Sequence, residues 1–436
     1  MAKKKAPSQS SRRAVIVGGL RTPFVKAFAE FTKLDTIALG VRSTGALLDK
    51  LNVPRNEIDS IVWGGVIFPP TAPNVAREIA LDLRLPSHVE GMTVTRACAS
   101  GLQAVTLAAA AIERGEADIV IAGGSDSTSN AALTFPTKLT HALAPFAFGK
   151  GATPGDVMGA LAQMMPLSEI LPKQPKIAER TTGEVMGESA EKMARRNEIS
   201  REAQDAFAVR SHHRAAAAIE SGRFSDEVVA VETPDGNWVH TDRIVRADTS
   251  IEKLAKLRPV FAKDGSVTAG NASALTDGAA TVLLMSEEKA KALGYVPRAA
   301  FRSWAYTAVD PSDQLLMGPA LAMPKALQRA GLELSDIDFV DMHEAFAAQV
   351  LSVLKMLGSD AFARERLGRD RAVGQIADEI LNVYGGSLAI GHPFGATGAR
   401  MVTTMANELH RSGKELALLG ICAAGGIGAA AVLEAI

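Results

Sequence analysis

Ala97-Cys98-Ala99-Ser100-Gly101 opens an Ala-rich segment that leads into Asp118-Ile119-Val120-Ile121-Ala122-Gly123-Gly124. Further along, Gly395-Ala396-Thr397-Gly398 opens a second such segment, which leads into Glu415-Leu416-Ala417-Leu418-Leu419-Gly420-Ile421-Cys422. In each, small residues start a helix and a continuous apolar run follows, the pattern of a strand covered on both faces. Self-similarity at half-chain spacing predicts two copies of one α/β unit, with central helices of nearly equal length. Working outward, residues 298–345 echo residues 14–66, down to the matching steps Ile58-Asp59-Ser60-Ile61-Val62 and Ile337-Asp338-Phe339-Val340. Leu416–Leu433 is an uncharged stretch long enough to suggest a membrane span. Gly425, Gly426 and Gly428 would each cost such a helix about 1 kcal/mol relative to Ala, so two buried strands around a glycine turn are expected instead.

The 436 residues suggest about three domains, or two with a large insertion. A net charge of −1 removes the electrostatic basis for a nucleic-acid binder. Two cysteines cannot build a disulfide framework or a four-thiolate zinc site. Residues 1–13 read as a basic flexible tail, with an organelle-targeting remnant as the alternative; they lack the apolar centre of a secretory signal. A soluble protein of the cytoplasm is expected.

The chain divides into an N-terminal half, 14–134 plus 251–297, an insertion domain over 135–250, and a C-terminal half, 298–436. The front of the insertion, 131–175, is rich in Pro, Phe, Met and Leu with several lysines. That composition suits a lid, a partner-docking surface, a membrane-surface patch or an ordinary packed cap. Charged helices should follow at Gly187–Arg196 and Arg201–Ser221, the second capped by Ser200. On that helix His212 and His213 read as solvated.

Four side chains can carry chemistry. Cys98 lies at the junction of a strand-like run and a helix start, where unpaired N–H groups should lower its pKa; the other reading is a small buried hydrophobe. Cys422 closes an apolar run at the carboxyl edge of the sheet, where ligands bind in α/β folds. His392 stands between Gly391 and Pro393, a place that packing explains poorly. His343 ends another apolar run in His343-Glu344-Ala345-Phe346, and because Ala347 stands where a zinc-protease motif needs a second His, no metal site is implied.

Together with Leu20-Arg21-Thr22-Pro23-Phe24, Leu257-Arg258-Pro259 and Thr268-Ala269-Gly270-Asn271-Ala272-Ser273, these segments resemble the thiolase family over nearly the whole chain. His343 at the head of its motif, where many acetoacetyl-type thiolases carry Asn, and the long insertion resemble the thiolase (β) subunit of the fatty-acid oxidation trifunctional complex. Ala423-Ala424 departs from the more common Ile-Gly after the second cysteine. The resemblance implies a five-layered α-β-α-β-α thiolase fold of two duplicated halves with a helical insertion (loop) domain. It implies a 3-ketoacyl-CoA thiolase that uses coenzyme A as a substrate and holds no permanently bound cofactor. Cys98 would be the nucleophile, His392 its base and Cys422 the second acid/base, with the enolate oxygen held near His343 and His392. Backbone N–H groups of Cys98 and Ala424 would hold an oxyanion, while Met186 and Ser273 would line the substrate channel. The expected partners are a second copy or a dimer of dimers, a hydratase/dehydrogenase α subunit, and a membrane surface touched through 131–175. The rival readings are an acetoacetyl-CoA-type acetyltransferase, a β-ketoacyl synthase and a non-catalytic structural subunit.

Overall fold

The computed structural model describes residues 12–148, 153–166, 169, 171 and 178–436. Its strands are β1 (Ala14–Arg21), β2 (Val25–Lys26), β3 (Ser60–Gly64), β4 (Glu90–Val94), β5 (Ile119–Ser127), β6 (Val231–Glu232), β7 (Trp238–Val239), β8 (Thr276–Ser286), β9 (Ala299–Ala308), β10 (Phe339–Met342), β11 (Leu416–Ala423) and β12 (Ile427–Ala435). The long sheet runs β10-β11-β12-β9-β1-β8-β5-β3-β4.

That order is the expected duplication made visible. In the N-terminal half β3 pairs in parallel with β4 and β5, β5 runs antiparallel to β8, and β8 antiparallel to β1. In the C-terminal half β10 pairs in parallel with β11 and bridges Leu381, β11 runs antiparallel to β12, and β12 antiparallel to β9. A short antiparallel contact between β1 and β9 joins the two. The repeated Ile-Asp step has a structural use. Asp59 Oδ2 accepts the N–H groups of Asp118 and Ile119 at 2.7 and 2.9 Å, and Asp338 Oδ2 those of Glu415 and Leu416 at 2.9 and 3.1 Å. Each carboxylate ties one parallel strand to the start of the next.

Five layers result. The helices Thr36–Lys50 and Val75–Asp82 cover one outer face with the Leu39, Leu47, Ile61 and Trp63 core, and Gly318–Ala330 and Ala347–Leu357 cover the other with Leu327, Val350 and Leu418. Between the two halves of the long sheet lie the central helices Ser100–Glu113 and Phe394–Ser412, packed through Leu102, Val105, Ala399, Val402 and Met405. Their lengths, 14 and 19 residues, differ more than the sequence echo implied. The small residues at their starts allow backbone to lie on backbone. A Cβ on Gly101 would meet Gly395 O at 2.3 Å, and one on Gly395 would meet Gly64 O at 2.5 Å. The uncharged C-terminal run forms β11 and β12 around a glycine turn, and among the described residues no helix is long and apolar enough to cross a membrane.

The described residues within 131–177 form one compact unit and the other described residues another. Residues 178–250, read in the sequence as insertion, belong with the larger unit because buried polar bonds tie them to it. The Arg21 guanidinium donates to Glu227 at 3.0 Å and to both Asp242 oxygens at 2.7 and 2.9 Å, all without exposure to water. The helices Met186–Arg196 and Arg201–Glu220 match expectation, Ser200 capping the second by accepting Ala203 N–H. His212 departs from it. This side chain is buried, accepts the Arg246 N–H, and is held down to about 4 by burial. Among its described residues the smaller unit holds the helices Thr137–Phe148 and Pro154–Gln163, with Leu143, Val157, Met158 and Leu161 exposed. Of the basic tail, Arg12 and Arg13 are described, paired with Asp118 and Glu434; the rest of 1–13 lies outside the described residues.

Candidate active site

Corresponding turns of the two halves deliver the reactive groups. Cys98 sits two residues before the helix Ser100–Glu113 begins, and His392 two residues before Phe394–Ser412. Ala97, with φ of 47°, makes the sharp turn that presents the thiol. His343 follows β10 and its N–H bonds Gly420 O at 2.8 Å, so it lies beside the strand that carries Cys422. One donor atom each from Cys98, His343 and His392 lie within 4.8 Å of one another, and the two imidazole centroids are 4.0 Å apart. Backbone N–H groups of Ala424 and of Cys98 itself point at the Cys98 sulfur. With Ala424 that close, Cys422, two residues earlier, lies near enough to feel the Cys98 charge.

Second partners fix the rings. The Thr397 hydroxyl donates to Pro393 O at 3.0 Å, so its oxygen accepts at 2.6 Å from His392 Nδ1–H. The free lone pair of His392 is therefore on Nε2. His343 Nδ1 bonds the Ser387 hydroxyl at 2.9 Å. Both Nε2 atoms are buried with no protein partner. The segment Asn271–Thr276 is threaded between the two histidine loops. Ser273 N–H donates to Ala345 O at 2.9 Å, and Thr276 Oγ1 accepts His392 N–H at 3.0 Å. Met186 opens its helix half-buried against the core that includes Cys422.

Burial sets the resting charges. Cys98 keeps part of its surface open, yet burial of its thiol pushes the pKa up to about 12, against the backbone N–H groups that lower it. The expected fall at a helix start does not occur, because the sulfur meets the N–H groups of Ala424 and Cys98, too few to replace water. Cys422 is raised well above the ordinary thiol value by burial and then by Cys98. His392 is held down to about 3 by burial and then Arg400; His343 is lowered by burial, His392 and Arg400. The resting site is a neutral thiol facing neutral imidazoles.

Several supporting residues escaped the sequence reading. Asp126, at the end of β5, accepts Val66, Ile67 and Gly395 N–H at 2.9, 2.6 and 2.6 Å, pinning the His392 loop to the other half. Glu344 accepts from Ser211, Asn382 and Leu388, fastening the loop that carries Ser387. Arg400 and Asp341, both nearly unexposed, bond at 2.6 Å and lock the helix after His392 to the strand before His343. The available signal was a lone charge inside an apolar or glycine-rich run.

A buried thiol with an oriented imidazole and converging backbone N–H groups has the parts of an enzyme that passes an acyl group through a thioester. Residues 14–288 match the thiolase N-terminal domain and residues 295–435 the thiolase C-terminal domain. The chain belongs to the thiolase family, a family of acyltransferases. It is 46% identical over 424 residues to a 3-ketoacyl-CoA thiolase of Pseudoalteromonas translucida (strain TAC 125), covering 97% of each chain. It is also 46% identical over 430 residues to one of Yersinia pestis (strain Pestoides F), again covering 97% of each. Among solved structures, the Bacillus anthracis acetyl-CoA acetyltransferase is 34% identical at TM-score 0.83, covering 98% of this chain and 100% of that one. Human mitochondrial 3-ketoacyl-CoA thiolase is 30% identical at TM-score 0.82, covering 97% and 99%.

Proposed function

We propose that this chain is a 3-ketoacyl-CoA thiolase working in the degradative direction, with acyl-CoA and free coenzyme A as substrates and no resident cofactor. The observation that carries the mechanism is the convergence of Cys98, His343 and His392, with Cys422 close enough to feel Cys98. Cys98 sulfur attacks the 3-keto carbon while its proton passes to His392 Nε2. The C2–C3 bond breaks, and the acetyl-CoA enolate leaves by taking the Cys422 proton. The remaining acyl group is a Cys98 thioester. Cys422 thiolate then deprotonates incoming CoA, whose sulfur displaces the acyl group; His392 returns its proton to Cys98. Proton transfer within the Cys98–His392 pair generates the thiolate only when substrate is present, which suits a thiol that rests neutral.

For the enolate oxygen, His343 acts as a donor when the Ser387 hydroxyl turns its hydrogen toward Nδ1, leaving Nε2–H free. The N–H groups of Cys98 and Ala424 serve the tetrahedral oxyanion once the sulfur has become covalent, and such a donor is typically worth about 3–4 kcal/mol. Met186 and Ser273 line the substrate channel. A trifunctional-type role, a homodimer or dimer of dimers, an α subunit partner and a cytoplasmic setting complete the proposal. The exposed apolar side chains Leu143, Val157, Met158 and Leu161 support a partner or membrane contact through 131–175. The likeness to an acetyl-CoA acetyltransferase supports a second reading, with acetoacetyl-CoA as the preferred substrate.

The test is consumption of acetoacetyl-CoA and longer 3-ketoacyl-CoA with CoA, followed at the enolate absorbance. Thiolysis that survives Cys98→Ala removes the mechanism, and the chain-length profile separates the two readings.

A further inference from the structure

The sequence offers no zinc motif because its histidines are not spaced on one helix, yet the fold assembles ligands from three separate segments. We propose that Cys98, His343 and His392 together capture a borderline transition-metal cation, Zn2+ above all, and that the captured ion shuts the site. One donor atom from each residue lies within 4.8 Å of the other two. Ligand atoms about 2.0–2.3 Å from a tetrahedral zinc stand roughly 3.3–3.6 Å apart, so side-chain rotations of about 1 Å close the set.

A second observation comes from the imidazoles. Both Nε2 atoms are buried and without a protein partner, while both Nδ1 atoms are engaged by hydroxyls. That is the arrangement of metal-binding histidines, whose far nitrogen is hydrogen-bonded and whose near nitrogen is free. Thr397 already accepts Nδ1–H from His392, and the Ser387 hydroxyl needs only to rotate to accept from His343. The chemistry of the set selects the ion: one thiolate and two imidazoles suit Zn2+, Co2+ or Cu+, whereas Mg2+ and Ca2+ require oxygen ligands. Asp126, pushed up to about 7 by burial, favours a cation on the Cys98 side once ionised; Arg400 opposes it from the imidazole side, paired with Asp341.

On binding, the Cys98 thiol releases its proton to solvent and its sulfur joins the ion. The fourth position is left to water or to a substrate thiolate. The nucleophile and its base are then both occupied, so the ion competes with acyl-CoA. This inference does not rest on the direction or chain-length preference of the reaction.

The experiment uses the full chain and Co2+ as an optical stand-in for Zn2+. One equivalent of Co2+ is expected to give tetrahedral visible bands with a near-ultraviolet thiolate charge-transfer band, released by adding Zn2+. Cys98→Ala should abolish the charge-transfer band, and Thr397→Val, which removes the support behind His392, should weaken Co2+ binding roughly 10–100-fold. Circular dichroism melts establish that each variant is folded. A wild-type spectrum without thiolate charge transfer, a charge-transfer band retained in Cys98→Ala, or Co2+ affinity unchanged in folded Thr397→Val overturns the proposal. None of these readouts depends on turnover, so their failure is distinct from failure of the thiolase reaction.

Discussion

Thr397→Val isolates what one hydroxyl does for His392, the base of the proposed mechanism. Valine keeps the branched shape in a position with no exposed surface, so packing in the first turn of the helix is preserved. The lost atom is the acceptor 2.6 Å from His392 Nδ1, which holds the proton on that nitrogen and leaves Nε2 free to take the one from Cys98. Without it, a buried N–H is stranded, at about 1–3 kcal/mol. The ring relieves that cost by moving its proton to Nε2 or by turning away, and both forms are incompetent as the base. At 1.36 kcal/mol per decade, kcat should fall roughly 5- to 150-fold. KM for acetoacetyl-CoA should hardly change, since the hydroxyl faces His392 and Pro393, away from substrate. Thr397→Ser, which restores the acceptor, should recover most of the loss. The assay is steady-state thiolysis together with rapid-mixing measurement of Cys98 acylation. A folded Thr397→Val enzyme with kcat within twofold of the parent refutes the tautomer argument.

Four other outcomes follow from the geometry. His392, held near 3, and His212, near 4, bind protons less readily folded than unfolded. Stability is therefore complete above the ordinary histidine value and should decline as pH falls from about 6.5 toward 4, by up to about 1.4 kcal/mol per pH unit for each group. Unfolding midpoints that stay flat over that range contradict the burial of these rings. Gly395→Ala should lower the melting temperature even though Ala favours helix by about 1 kcal/mol, because its Cβ meets Gly64 O at 2.5 Å and Gly65 Cα at 2.8 Å, overpacking that costs about 1–3 kcal/mol or more. An unchanged melt would show that the halves can part there without cost. Cys422→Ser should cripple turnover yet leave Cys98 open to stoichiometric alkylation or acylation; loss of labelling would count against the division of roles. Arg400→Met strands the buried Asp341 carboxylate and should cost about 3–5 kcal/mol, with much of it recovered by adding Asp341→Leu, as chemical denaturation can measure.

The duplication was legible in the sequence because it is written in local chemistry. Continuous apolar runs, small-residue helix starts and the Ile-Asp steps all lie within short windows, and each became a strand, a helix contact or a strand-to-strand clamp. The glycine turn in the last strand pair was readable for the same reason. Cys98, His343, His392 and Cys422 stood out as reactive types at the ends of such runs. The length of the second central helix was less legible: its small-residue start was readable, but the helix runs 19 residues, Phe394–Ser412, against 14 in the first half.

Sequence by itself determined the two α/β copies and singled out four candidate reactive side chains, with the kind of chemistry those residue types suit. It could not determine their protonation, because a pKa depends on how much water the completed fold removes; Cys98 was expected low and stands high for that reason. Nor could it determine which polar residues support them. Asp126, Glu344 and the Arg400–Asp341 pair acquire their roles only when segments 38 to 269 residues apart are brought to hydrogen-bond distance, whereas Thr397 reaches His392 from five residues further along the chain. The same closure turns three widely separated ligand atoms into one cluster.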